Sequence, residues 1–245
     1  MIVFLTSSPC ADAPAGVDVP FILDESNQFV ENLKQYVKVG CKCLMVCADP
    51  FNYEHNDRMA REFRAGFAYH GLIFEDMVMC DHRNKEALGE LIQTSGMIIL
   101  AGGHVPTQNL FLQKNKMREL LQGFDGVIMG ISAGSMNCAD TVYAHPEMEG
   151  ESIDPNYQRF IRGLGLTDVN VMPHYQKVKY WWLDGKPLYE GIACPDSFGR
   201  TFYGLPDGSY VLCKDGKETI YGEAHKLSDG VFTQICWPEE TFALK

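Results

Sequence analysis

The sequence predicts an α/β protein: a mainly parallel sheet with helices on both faces, followed by a β-rich C-terminal part. Three observations lead there. Strand-like and helix-like segments alternate four times before residue 127, the pattern of a parallel sheet with crossover helices. The strand candidates are short and nearly all apolar, as expected when both faces of a sheet are covered. Beyond Arg200 the alternation gives way to short β-type runs divided by Pro206-Asp207-Gly208, Lys214-Asp215-Gly216 and Ser228-Asp229-Gly230, all turn sequences.

The elements are expected in this order. Met1 to Thr6 is a strand, and Ser7 to Pro20 a loop carrying Pro9 and Pro14. Glu25 to Val37 has helical spacing, with Phe29, Leu33 and Val37 on one face. Lys42 to Cys47 is a strand; Asn56 to Tyr69 is a helix with Met59, Phe63 and Phe67 at spacing four. Leu72 to Met79 is a strand, Lys85 to Gln93 a helix, Gly96 to Leu100 a strand, and Gln108 to Leu121 a helix. A strand over Val127 to Met129 follows, and a short one over Val169 to Met172. Late strands are expected at Thr201 to Tyr203, Tyr210 to Cys213, Thr219 to Tyr221 and Val231 to Cys236. The cluster Tyr180-Trp181-Trp182 reads as packing. No repeat or linker interrupts the chain, so one domain over residues 1–245 is expected.

Composition narrows the function. The 245 residues are 46% hydrophobic and 22% charged, an ordinary globular balance long enough for a sizeable core. The net charge of -11 argues against a nucleic-acid backbone or an anionic membrane as partner. Nine cysteines lie at irregular spacing with no C-x-x-C pair, so buried, reduced thiols in a cytoplasmic protein are expected rather than a zinc site. No signal peptide is apparent, and the apolar run Met97 to Ala101 is too short to span a bilayer.

The chemistry centres on Gly130-Ile131-Ser132-Ala133-Gly134. This is G-x-S-x-G, the nucleophile-elbow pattern, here after an apolar strand and before small residues that suit a helix start. A sharp turn pushes the serine out beyond the sheet, and glycine tolerates the backbone it needs. Ser132 falls at the carboxyl end of a strand, where ligands bind in such sheets. A serine hydroxyl needs a base. Of seven histidines, His174 is the best placed, at another strand end in Pro173-His174-Tyr175; His104, after Gly102-Gly103, falls near the same rim. The orienting acid stays open between Asp207, in a turn before a strand, and Glu147, which gives the chain order serine, acid, histidine. Glu218 and Glu223 are weaker options. Oxyanion donors would be the N–H groups of Ala133 and Gly103. Lys177, Lys179, Arg159 and Arg162 are candidates for a substrate carboxylate.

With Gly102-Gly103, the elbow, Pro173-His174-Tyr175 and Gly204-Leu205-Pro206-Asp207-Gly208-Ser209-Tyr210 taken together, the chain resembles peptidase family S51, which includes aspartyl dipeptidase (peptidase E) and cyanophycinase. The resemblance implies a fold like that of class I glutamine amidotransferases, with serine in place of their cysteine. It implies cytoplasmic hydrolysis of short peptides, those with an acidic first residue among them, and neither metal nor cofactor. It casts Ser132 as nucleophile, His174 as base and Asp207 as acid, where relatives often carry glutamate; Glu147 lies near another position proposed for that acid. An esterase or acyl transferase on the same site, or a binding protein that kept the fold, would use the same letters. The sequence leaves a homodimer open.

Overall fold

The computed structural model describes residues 1–244. Its centre is an eight-stranded sheet. The strands of the two larger sheets, in chain order and leaving aside three short two-stranded ribbons, are β1 (Ile2–Thr6), β2 (Lys42–Val46), β3 (Met77–Cys80), β4 (Ser95–Leu100), β5 (Val127–Ile131) and, after a second sheet begins with β6 (Val171–Met172) and β7 (Thr201–Gly204), β8 (Tyr210–Lys214) and β9 (Lys217–Tyr221). The last strands are β10 (Ala224–Ser228), β11 (Val231–Cys236) and β12 (Thr241–Leu244). The central order is β12-β9-β8-β1-β5-β4-β2-β3. The five strands from β1 to β3 are mutually parallel, while β8, β9 and β12 pair antiparallel on the other edge. The smaller sheet runs β6-β7-β10-β11.

Helices link the parallel strands: α1 (Phe29–Tyr36), α2 (Tyr53–Tyr69), α3 (Leu88–Thr94) and α4 (Val105–Lys114). The chain steps outward from β1 to β2 and β3, then returns through β4 to β5. Right-handed crossovers therefore put α1 and α2 on one face and α3 and α4 on the other. That reversal brings the carboxyl ends of β1 and β5 side by side, the usual place for a ligand crevice. Coverage from both sides explains the apolar strands: Met97, Ile98, Ile99 and Leu100 of β4 are all fully buried.

Several boundaries differ from expectation for local reasons. Leu72 to Asp76 is not strand. Gly71, at φ 78°, ends α2 in a Schellman motif, with Leu72 N–H donating to Phe67 and Gly71 N–H to Ala68. Leu72 is buried because it packs that cap. The first helix starts at Phe29 rather than Glu25, because Asn27 and Gln28 take left-handed φ of 54° and 60°. Asn27 instead donates to the Gly208 carbonyl and accepts from Glu239 N–H. The fourth helix begins earlier, at Val105 with Pro106 in its first turn, and breaks at Lys116, φ 53°. Strands β10 and β12 lay outside the expected set.

A smaller core gathers around the second sheet, where the Tyr143 and Phe202 rings stack at 4.2 Å. The packing expected of Tyr180-Trp181-Trp182 is not found. These residues are 73%, 53% and 69% exposed, and Lys179 lies over the Tyr180 ring. All nine cysteines are free thiols. Among the described residues no helix is long and apolar enough to cross a membrane.

Candidate active site

The elbow is built by steric demand. A Cβ on Gly130 would come 2.5 Å from the Ser135 backbone, and one on Gly134 would come 2.1 Å from the Leu100 carbonyl oxygen. Only glycine lets β5 turn this sharply into the single helical turn α5 (Ala133–Met136). Ser132 at the apex has φ 49° and ψ −111°, a strained conformation for any residue with a Cβ. It is held there because its N–H is shared between the Thr6 and Ser7 carbonyls, at 3.0 and 3.1 Å. Buried Ser135 ties the same turn to β1 by donating to Thr6 O at 2.7 Å.

His174 follows β6 and caps α6 (Tyr175–Val178) in a left-handed conformation, φ 58°. Its Nε2 lies 3.0 Å from Ser132 Oγ, and its Nδ1 lies 2.6 Å from Asp207 Oδ1. A carboxylate only accepts, so Nδ1 carries the proton and the Nε2 lone pair faces the Ser132 hydroxyl. Asp207 occupies the turn between β7 and β8. Burial by itself would raise its carboxyl pKa. The hydrogen bonds from His174, Lys177 and Ser7 outweigh that and hold it well below the usual carboxylate range.

Two further side chains fix this arrangement. Ser7, just past β1, donates Oγ–H to Asp207 Oδ1 at 2.9 Å and accepts from His174 N–H at 2.7 Å. Gln176 grips Asp207 twice, donating Nε2–H to Oδ2 at 2.6 Å and accepting the Asp207 N–H at 3.1 Å. Neither was foreseen. A serine after a strand and a glutamine two places past a histidine carry no spacing signal.

The remaining candidates fall elsewhere. Glu147 is not on His174; its carboxylate lies 3.7 Å from His145 Nε2. Glu218 accepts from Thr167, and Glu223 pairs with His225. Lys177 reaches Asp207 Oδ2 at 2.9 Å, Lys179 lies over Tyr175, and Arg159 pairs with Asp196. Gly102 and Gly103 lie against the elbow: a Cβ on Gly102 would be 3.5 Å from Ser132 Cβ, and one on Gly103 would come 2.6 Å from Ala48 Cβ. Among the described residues, the N–H groups of Gly103 and Ala133 have no protein acceptor, so both remain available to an incoming oxygen. No group of three or more His, Cys, Asp or Glu among the described residues is placed to hold a metal.

A hydroxyl, an imidazole and a carboxylate in hydrogen-bonded series, beside two unused N–H groups, can perform acyl transfer. The model of peptidase family S51 matches residues 49–221, a span that takes in Gly103, Ser132, His174 and Asp207. The chain belongs to peptidase family S51. Membership in S51 supports a peptidase, and so a hydrolase, as its activity. The fold is seen again in the crystal structure of a provisionally named peptidase E protein from Listeria monocytogenes EGD-e. That structure is similar with a TM-score of 0.59 and 12% identity, over 96% of this chain and 98% of that one. No curated protein matches the chain.

Proposed function

We propose that this S51 member is a serine peptidase acting on short peptides, with Ser132 as nucleophile, His174 as general base and acid, and Asp207 as the group that orients His174. The observation that carries the reading is the unbroken series Ser132 Oγ, His174 Nε2, His174 Nδ1, Asp207 Oδ1, with spacings of 3.0 and 2.6 Å. Ser132 Oγ attacks the scissile carbonyl while His174 Nε2 takes its proton. The carbonyl oxygen becomes an oxyanion facing the N–H groups of Gly103 and Ala133. His174 returns the proton to the leaving amine as the C–N bond breaks. Water then enters, gives a proton to His174, and splits the acyl-serine ester, regenerating Ser132.

The nine free thiols support a reducing compartment, the cytoplasm, as its place of work. The test is a dipeptide panel with the wild type and Ser132→Ala, together with labelling by a serine-directed phosphonate. The reading expects labelling at Ser132 and a loss in the variant of at least about a thousandfold. Undiminished cleavage by Ser132→Ala overturns it.

A further inference from the structure

Ser132 has two unlike sides. His174, Ser7 and Asp207 stand on the side of β1 and β8. On the other side Gly102 and Gly103 follow β4, and beyond them, over the ends of β2 and α2, opens a cavity of about 330 Å³. Because His174 protonates the leaving amine, the leaving group lies toward β1. The acyl residue, whose carbonyl oxygen faces Gly103 N–H, lies toward the cavity. This assignment rests on the peptidase reading above.

The cavity's chemistry is unusual for a peptidase with acidic substrates. It is lined by Asp49, His55, Met59, Gly103, His104 and Met148 among others, and among the described residues no lysine or arginine is in that lining. Asp49 Oδ1 accepts the Phe51 N–H at 3.0 Å, and its Oδ2 has no partner among the described residues. His104 has both ring nitrogens engaged: Nδ1 with Thr107 Oγ1 at 2.8 Å, and Nε2 with Glu151 Oε1 at 2.8 Å. A second carboxylate thus stands behind the imidazole where a substrate carboxylate would seek a donor. His55 accepts from Arg58 at Nδ1, 3.1 Å, which leaves the proton on Nε2; Arg58 itself pairs with Glu62. The donors left in the lining are uncharged, Asp49 and Glu151 stand at it as carboxylates, and Arg58, in contact with His55, is paired with Glu62.

We infer that this cavity selects an uncharged acyl-side residue, carboxamide or thioether in type, and rejects aspartate and glutamate. The Asp49 carboxylate accepts from a side-chain NH₂, His55 Nε2 donates to a side-chain carbonyl, and the two thioethers cover the methylene stem. A carboxylate of the same shape would lose the first contact and face Asp49 and Glu151 unpaired.

The isosteric pairs Gln-Leu with Glu-Leu and Asn-Leu with Asp-Leu isolate the charge. Calorimetric binding to Ser132→Ala reads the cavity without turnover, and kcat/KM of the wild type reads the reaction. The amide member of each pair is expected to bind at least about tenfold more tightly, with Asp49→Asn narrowing the gap several-fold. Equal or tighter binding of the acidic member, or no binding of any of the four, overturns the inference. Selective binding without cleavage by the wild type would sink the peptidase reading and leave the cavity's selectivity standing. Cleavage of Glu-Leu as fast as Gln-Leu would do the reverse.

Discussion

The Ser7 hydroxyl donates to the Asp207 carboxylate at 2.9 Å across 200 positions of sequence, and the same oxygen accepts the His174 backbone N–H. One small side chain just past β1 therefore holds both the Asp207 carboxylate and the main chain of the histidine bonded to it. Ser7→Ala removes a hydrogen bond to a charged acceptor and leaves a half-buried N–H unpaired. Steady-state kinetics should show kcat reduced about tenfold or somewhat more, with KM little changed. Ser7→Thr, which keeps the hydroxyl, should recover most of the loss.

Asp207→Asn should be far more damaging. An amide can present its NH₂ to Nδ1 and favour the wrong imidazole tautomer, so kcat should fall by about 10⁴ with the circular dichroism spectrum unchanged. Glu147→Gln, which alters a contact to His145 only, should stay within about twofold of the wild type. A reversal of the two results would move the orienting role to Glu147.

The depressed pKa of Asp207 also predicts an acid-stability signature. Its folded value lies below the unfolded one, because the contacts from His174, Lys177 and Ser7 favour the charged form. Such a group stabilises the fold above the unfolded carboxylate pKa, near 4. The contribution is lost as pH falls from there toward the folded value, since the unfolded chain then binds the extra proton. Urea midpoints taken at pH 5 and pH 3 should therefore fall more steeply for the wild type than for Asp207→Asn.

Gly134→Ala should fail to fold or lose about 3 kcal/mol or more, because the new Cβ meets the Leu100 carbonyl oxygen at 2.1 Å. Gly216→Ala is the control. It has open space around its Cβ and only the strain of φ 71°, so about 1 kcal/mol is expected. Thermal melts of the two variants separate a steric demand of the elbow from a general cost of losing glycine.

The thiol of Cys10 is pushed up to about 12, by burial first and then by Asp24 and Asp207. From an ordinary 9.0 this lowers the thiolate fraction at pH 8 by roughly a thousandfold. Iodoacetamide followed by peptide mapping should label Cys10 slowly in the native protein and rapidly in urea. Equal rates would mean that the loop after β1 does not shelter it.

Much of this architecture was legible because it follows from short-range physics. Runs such as Met97 to Leu100 announce a strand covered on both faces, and Gly130 and Gly134 announce a turn too tight for any Cβ. Ser132 and His174 do meet, and both lie just past strands, but β6 belongs to the smaller sheet, so the shared rim expected from the sequence is not what brings them together. The choice between Asp207 and Glu147 stayed open because distance along the chain says little about distance in space. In the fold the β7–β8 turn sets the Asp207 carboxylate 2.6 Å from His174 Nδ1, while Glu147 faces His145. Ser7 and Gln176 were silent for a related reason: a hydroxyl or an amide acquires meaning only from what folds against it. Tyr180, Trp181 and Trp182 misled because apolar character is a one-way guide; large rings also sit on surfaces.

The hydrogen-bonded series through Ser132 draws on positions 7, 132, 174 and 207. A ribosome making this chain releases the hydroxyl long before it releases the carboxylate. A nascent or truncated product that stops short of residue 207 carries the elbow without the aspartate that completes the series. The four positions thus come together only after the turn carrying Asp207 has been made and β8 has paired with β1.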